Sequence, residues 1–332
     1  MRILVTGGAG FIGSHTTALL RARGDFVVVF DSLELGYRQA IGDTPLVVGN
    51  TRDGALVKQV IGDHKLEAVI HFAAYKAAGE SMTNPAKYFD NNVQGSLQLM
   101  EAACQAGVRQ FVFSSTAAIY GTPSTLPVRE TDELRPENPY GESKLLVERM
   151  LKWFDTCHGL RSVILRYFNA AGAALDGENG EDPRFVQNLI PVVMKVATAR
   201  APALRVFGTD YPTPDGTGIR DYIHVLDLAE AHARALDFLA AGKASDVFNI
   251  GTGKGASVRE VLDRSRRISG VEIAADFVAR RPGDPAAVYA DNRKAREVLG
   301  WSPRYGIEEI IKSAWQWHHR HPDGFVTPSG SF

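Results

Sequence analysis

The chain is poor in cysteine, balanced in charge and free of long apolar runs. Its 332 residues include two cysteines, Cys104 and Cys157, far apart and in no CxxC pair. That excludes a disulfide framework and a thiolate zinc site. Lys and Arg number 37 against 38 Asp and Glu, a net charge of −1. Nothing therefore supplies the basic field that nucleic acid or an anionic membrane needs. No apolar run is long enough for a membrane span. The opening "MRILVTGGAG" breaks into glycines too early for a secretory h-region, so a reducing, cytoplasmic setting is expected. There is no tandem repeat and no low-complexity segment. The length calls for one large or two modest domains.

What is present is a regular alternation. "RILVT", "FVVVF", "LVV", "EAVIHF", "QFVFSS" and "SVILRYF" are rich in β-branched and aromatic residues. They read as strands buried on both faces, as in a parallel sheet. Amphipathic stretches such as "GSHTTALLRARG" and "NNVQGSLQLMEAACQAG" lie between them at crossover length. The order βαβαβ predicts an α/β fold with a doubly wound parallel sheet over residues 1–170. After Phe168 the pattern weakens, and "NAAGAALDGENGEDPR" reads as a loop. A smaller C-terminal α/β domain is expected over 171–332. The segment 219–240, "IRDYIHVLDLAEAHARALDFLA", is regular enough to return to the first domain.

"VTGGAGFIGSH" follows the first strand and opens the first helix. Gly7 suits a tight turn, Gly10 a close approach of backbone to a pyrophosphate, and Gly13 close packing of helix on sheet. A pyrophosphate there meets free N–H groups at the positive end of a helix dipole. Asp31 ends the second strand, where a carboxylate bonds an adenosine ribose and repels a 2′-phosphate. NAD is therefore expected over NADP. Arg38, a few residues on, is expected to be a solvated loop charge.

"NPYGESK" sets Tyr140 and Lys144 one helical turn apart, with Pro139 suited to the first turn. A free tyrosine titrates near ~10 and is a poor base at neutral pH. A neighbouring ammonium and a positive nicotinamide would favour its phenolate, making it a general base for a substrate hydroxyl. "SSTAAIYG" ends a strand, where ligands of such sheets collect, and offers Thr116 as a bridging hydroxyl. Ser114 and Ser115 are alternatives, Ser114 being expected to face the cofactor. "WHHRH", from Trp317 to His321, has no acidic or thiol partners. It reads as cationic residues at a helix end, with Trp315 and Trp317 as packing.

The GxxGxxG spacing with Tyr140 and Lys144 resembles the extended short-chain dehydrogenase/reductase superfamily. "VIHFAAYKAAGES", "DNNVQGSL", "FVFSSTAAIYG", "LRYFNAAGA", "GEDP", "GTDYPTPDGTGIRDYIHVLDLA" and "RRPGD", in that order, resemble the UDP-glucose 4-epimerase family within it. The resemblance implies reversible inversion at C4 of a UDP-hexose through a 4-keto sugar, with tightly bound NAD. Tyr140, Lys144 and Thr116 would be catalytic, Thr116 standing where the family usually has serine. Sugar-nucleotide dehydratases of the superfamily carry an Asp-Glu pair just after that position, and this chain has Ala117 and Ala118. Elimination of water is thereby disfavoured.

The same resemblance implies that Phe11, Ile12, Thr51, Phe72, Ala73, Ala74, Lys76, Asn91 and Phe168 line the cofactor. Asn50 stands where an aspartate is common near adenine. Asn169, Asn188, Leu189, Phe207, Arg220, Arg281 and Asp284 match positions around UDP, and Lys76, Thr116 and Tyr140 also face substrate. Two arginines suit a diphosphate, whose oxygens match the guanidinium fork. Val288 stands where hexose-restricted members often carry tyrosine, so room for a 2-acetamido group is expected, unless Tyr289 fills it. A homodimer through helices near 84–105 and 138–156 is implied. The competing readings are another NDP-sugar enzyme and a non-catalytic dinucleotide sensor.

Overall fold

The structure, a computed structural model, describes residues 1–325 apart from Pro282. All six strands expected in the first half are present and lie in one seven-stranded parallel sheet. Across it run Asp246–Ile250, Arg161–Tyr167, Gln110–Thr116, Ala68–His71, Arg2–Thr6, Phe26–Asp31 and Leu46–Val48. The alternation of side chains explains the apolar runs. In the first strand Ile3 and Val5 join the core on one face and Leu4 the core on the other. Helices Phe11–Ala22 and Val225–Ala240 pack together over the first face. Helices Gly54–Asp63, Gly95–Gln105 and Pro139–His158 supply Val57, Leu99 and Leu151 to the second core. Strand order reverses between Arg2–Thr6 and Ala68–His71, which opens a crevice at their carboxyl ends.

The chain returns to this sheet further than the sequence suggests. Helix Val225–Ala240 packs on it as expected, whereas Ile219–His224 lies in another sheet, and Asp246–Ile250 adds the seventh strand beside Arg161–Tyr167. The segment expected as one helix near 84–105 is in three pieces: Pro85–Tyr88, a π-helical turn Phe89–Gln94, and Gly95–Gln105. Asn92 in that turn is buried. Its amide donates to Tyr75 O and to Ser143 Oγ, both at 3.0 Å, and its Oδ1 accepts from Tyr75 N. Such wide turns recur at functional sites. Part of the predicted loop after Phe168 is instead a strand, Asn169–Ala171, paired with Ile219–His224.

That pairing begins a second, smaller body. Ile219–His224 also lies between Gly255–Ser257 and Ala287–Val288, while Leu204–Phe207 pairs with Ala275–Val278. Its core includes Ile190, Met194, Leu262 and Ile310. Among the described residues no helix is long and apolar enough to cross a membrane.

Candidate active site

The glycine loop forms the floor of a cleft at the reversal point. Gly7 has φ +69, and a Cβ there would stand 2.5 Å from Ala73 N, so only glycine lets the two strand ends approach. A Cβ on Gly13 would stand 2.2 Å from Gly7 O. It is the loop's own backbone that crowds Gly13, more than the sheet. Gly10 caps helix Phe11–Ala22 without a side chain, and a Cβ there would meet only Gly7 O, at 3.3 Å. The helix N-terminus is thus bare toward the cleft, as an anionic diphosphate requires.

Asp31 closes one end. Its oxygens accept from Ala9 N and Leu33 N, both at 2.9 Å. Burial pushes its carboxyl above the usual value, and these two amides pull it back. Phe11, Ile12, Asn50, Thr51, Phe72, Ala73, Ala74, Lys76 and Asn91 line the same cleft, as do Tyr140 and Lys144. Asn50 turns its oxygen to Arg52 N, at 3.0 Å. The Arg38 guanidinium ties Thr44 O at 2.7 Å and does not line the cleft. Glycines at the floor, a bare helix end and a buried carboxylate fit a dinucleotide.

Two cofactor expectations fall elsewhere. The Ser114 hydroxyl lies 3.0 Å from His232 Nε2, and Ser114 is not among the lining residues. Phe168 is buried in a small apolar cluster with Ile119, Leu145 and Val288. Tyr167 lines the cleft instead, because successive strand residues face opposite sides. Its register partner is Thr116, a signal the sequence contained in the neighbouring strand ends. Glu181, Asp182 and Phe185 also line the cleft. Sequence reasoning missed them because they arrive from the second body. Glu181 Oε1 accepts from Lys76 Nζ at 2.7 Å. Trp317, buried as expected, donates to Glu181 O at 2.9 Å and fixes that segment. His318 is not the charged helix end expected of it, since burial lowers its pKa to about 4.

Tyr140 occupies the inner end. Asn138 Oδ1 accepts from Gly141 N at 2.9 Å and starts the helix, with Pro139 following. A Cβ on Gly141 would stand 2.8 Å from Ala118 O, so glycine lets the helix press on the turn after Thr116. The Tyr140 phenol faces the Thr116 side chain. Thr116 Oγ1 accepts from Ala118 N at 3.1 Å. Burial raises the Tyr140 pKa, while Thr116 and the Lys76 ammonium pull it down. Lys76 is thus a cation near the phenol that the sequence did not point to, besides Lys144 one turn along the same helix. Lys144 is buried, donates from Nζ to Ser114 O at 2.9 Å, and is brought down to about 7 by desolvation against the pull of Glu148. Ser115 donates to Glu148, which forms a buried pair with Arg166 (Nη2–Oε2 2.6 Å).

A second cluster gathers on the smaller body, outside this cleft. Arg220 Nη2 meets Asp284 Oδ1 at 2.5 Å. The Arg281 guanidinium lies 3.8 Å from the Phe207 ring centroid. Asn169 Nδ2 donates to Asp221 O at 3.0 Å, next to Arg220 in the chain. Asn188 and Leu189 open helix Leu189–Ala197, and the Asn188 side chain makes no cap bond. Val288 pairs in register with Arg220 and packs in the cluster of Leu145 and Phe168, linking the arginines to the Tyr140 helix. Tyr289 lies beside Gly255, off that cluster.

Known proteins share this sequence pattern and fold. A model of the NAD dependent epimerase/dehydratase family matches residues 3–251. The UDP-glucose 4-epimerase of Lacticaseibacillus casei is 48% identical, over 98% of this chain and 99% of its own. The crystal structure of UDP-glucose 4-epimerase from Bifidobacterium longum in complex with NAD+ and UDP superposes with a TM-score of 0.92 at 40% identity, covering 98% of this chain and 100% of that one. The UDP-Glc/GlcNAc 4-epimerase of Campylobacter jejuni gives a TM-score of 0.85 at 41% identity, covering 96% and 99%. The chain belongs to the NAD dependent epimerase/dehydratase family and groups there with the UDP-glucose 4-epimerases.

Proposed function

We propose that this chain inverts C4 of UDP-hexoses, with NAD in the first cleft and the substrate's diphosphate at Arg220 and Arg281. The observation that carries this is Tyr140 lining a dinucleotide-shaped cleft with the Thr116 side chain as its neighbour, and with Ala117 and Ala118 following Thr116 in the chain. Gly7, Gly10, Gly13 and Asp31 would hold the cofactor's diphosphate and ribose. Bound there, NAD supplies a hydride acceptor, then a hydride donor, and a positive ring that favours the phenolate. Tyr140 Oη takes the proton of the substrate 4-hydroxyl, with Thr116 Oγ1 as the bridging acceptor and donor. The arginines keep the diphosphate in place while the 4-keto sugar turns its other face. Tyr140 then returns the proton to O4, and no net redox change remains. Lys144 stays back, bonded to Ser114 O, where it orients the strand end and can hold a cofactor hydroxyl.

Replacing Tyr140 with Phe leaves the cleft's shape and removes the proton carrier. UDP-galactose turnover, followed by NMR, should fall by about 100-fold or more with NAD still bound. A variant with full turnover would end the reading. Net release of NADH would instead favour a different sugar-nucleotide oxidoreductase.

The division at about residue 170, with 225–250 returning to the first body, is proposed as the domain boundary. Free Cys104 and Cys157 fit a cytoplasmic setting. A homodimer is also proposed. Trp153, Leu97 and Phe89 are exposed on the neighbouring helices Pro139–His158, Gly95–Gln105 and the π-helical turn. An indole 67% exposed, beside two further exposed apolar side chains, supports a contact surface there.

A further inference from the structure

The two walls of the dinucleotide cleft are joined by side chains that stand outside it. One wall is the turn from Ser32 to Tyr37; the other is the segment from Glu181 to Phe185. Tyr37 and Asp182 both line the cleft, and the Asp182 carboxylate lies close enough to act on the Tyr37 phenol. Around this contact lie two residues that line nothing. The Arg184 guanidinium sits 4.9 Å from the Tyr37 ring centroid and pairs with Asp182 (Nη2–Oδ2 2.8 Å). The Phe325 ring stacks on Tyr37 at 5.1 Å and 25°. Phe325 is itself anchored, 5.0 Å from the Trp317 ring, and Trp317 holds Glu181 O. Arg184 Nη2 also reaches Phe325 O at 3.4 Å.

We propose that Tyr37, Arg184 and Phe325 form a latch across the cleft and set how fast the cofactor leaves. The proposal rests on the assignment of this cleft to NAD. Tyr37 lies in the turn after strand Phe26–Asp31 of the larger body, whereas Arg184 and Phe325 belong to two separate segments of the smaller body. Parting the walls means breaking a cation–π contact and an aromatic stack at once. Each is weak alone, but they fail together because both act on one ring. An enzyme whose cofactor is reduced and reoxidised within each turnover gains from slow release, since loss of NADH in mid-cycle strands a 4-keto sugar. The latch provides that retention without adding any contact to the reacting atoms.

The test measures exchange of bound NAD for isotopically labelled NAD in the purified holoenzyme, read by mass spectrometry of the protein-bound fraction. Arg184→Ala, Phe325→Ala and the double variant are compared with wild type. Arg264→Ala, which breaks only exposed pairs with Glu308 and Glu260, is the control. Neither Arg184 nor Phe325 lines the cleft, so neither variant removes a wall contact to the ligand. Arg184 is exposed, so its loss leaves the core intact. Each single variant should exchange about three- to tenfold faster, and the double variant faster still, with the control unchanged. Exchange at the wild-type rate in all three overturns the latch while leaving the NAD assignment standing. A wild-type protein that neither holds nor takes up NAD overturns the assignment itself, and the latch with it.

Discussion

At position 288 the relevant difference is a single side chain. Val288 is nearly buried against Leu145 and Phe168, and Tyr289 turns away toward Gly255. The tyrosine that could have refilled the space does not occupy it. The chain is therefore expected to turn over UDP-N-acetylgalactosamine as well as UDP-galactose. Val288→Tyr should lower kcat/KM for the N-acetylated sugar by about tenfold or more, while UDP-galactose changes only a few-fold. Equal losses on both substrates would show that position 288 does not sort sugars by size. Much at this scale was legible beforehand. Motif spacing pointed to Gly7, Asp31 and Tyr140, and all three line one cleft, because each performs a local task. Tyr167, next to the expected Phe168, lines that cleft, because strand alternation cannot be phased from one residue. Glu181 lay beyond reach, because its place depends on Trp317, 136 residues away.

Among the elements, helix Pro139–His158 does the most. Its first turn carries Tyr140 and rests on Asn138 and Gly141. Its second turn holds Lys144, its third holds Glu148 against Arg166, and its far end presents Trp153 to solvent. One rigid rod thus joins the base to the proposed dimer face. Trp153→Glu should convert a dimer to monomer in sedimentation velocity, because a carboxylate buried in an apolar contact is costly. A variant that stays dimeric would move the interface elsewhere. The rod was easy to see in sequence, with a capping Asn, a Pro and a clear period. The π-helical turn at Phe89–Gln94 was not, because its cause is Asn92 reaching Ser143 on that rod, a tertiary bond that overrides local preference.

The whole molecule carries a set of histidines that the reaction does not use. His71 and His224 are brought down to about 3, and His232 and His318 to about 4, in each case chiefly by burial. All four start from an unfolded value of 6.5. Below that value the unfolded chain binds protons that the folded chain refuses until about 3 to 4. Stability should therefore fall as pH drops from 6.5 toward 4 and be insensitive to these groups above about 7. Urea unfolding at pH 5 and pH 7 tests this, with uptake of close to four protons expected from these groups at pH 5. Equal stability at both pH values would mean that the histidines are solvated or charged in the fold. The parallel sheet itself was visible in the apolar runs, since burial on both faces leaves no polar alternation. A smaller body was expected over 171–332, but its strand pairing was not legible, because the strands are short and pair with segments far away in sequence.

One consequence follows from where the seventh strand comes from. Asp246–Ile250 lies against Arg161–Tyr167, yet between them the chain has already run through Ile219–His224 of the smaller body. The smaller body is thus partly an insertion within the last crossover of the sheet. A fragment ending near residue 170 would keep the glycine loop, Tyr140 and Thr116, but it would leave Val163 and Leu165 on an uncovered edge, without Phe248 and Ile250 beside them. Such an edge invites pairing with other chains. The cofactor half and the sugar half are therefore not modules that could be exchanged or expressed apart; each is completed only after the chain has passed through the other.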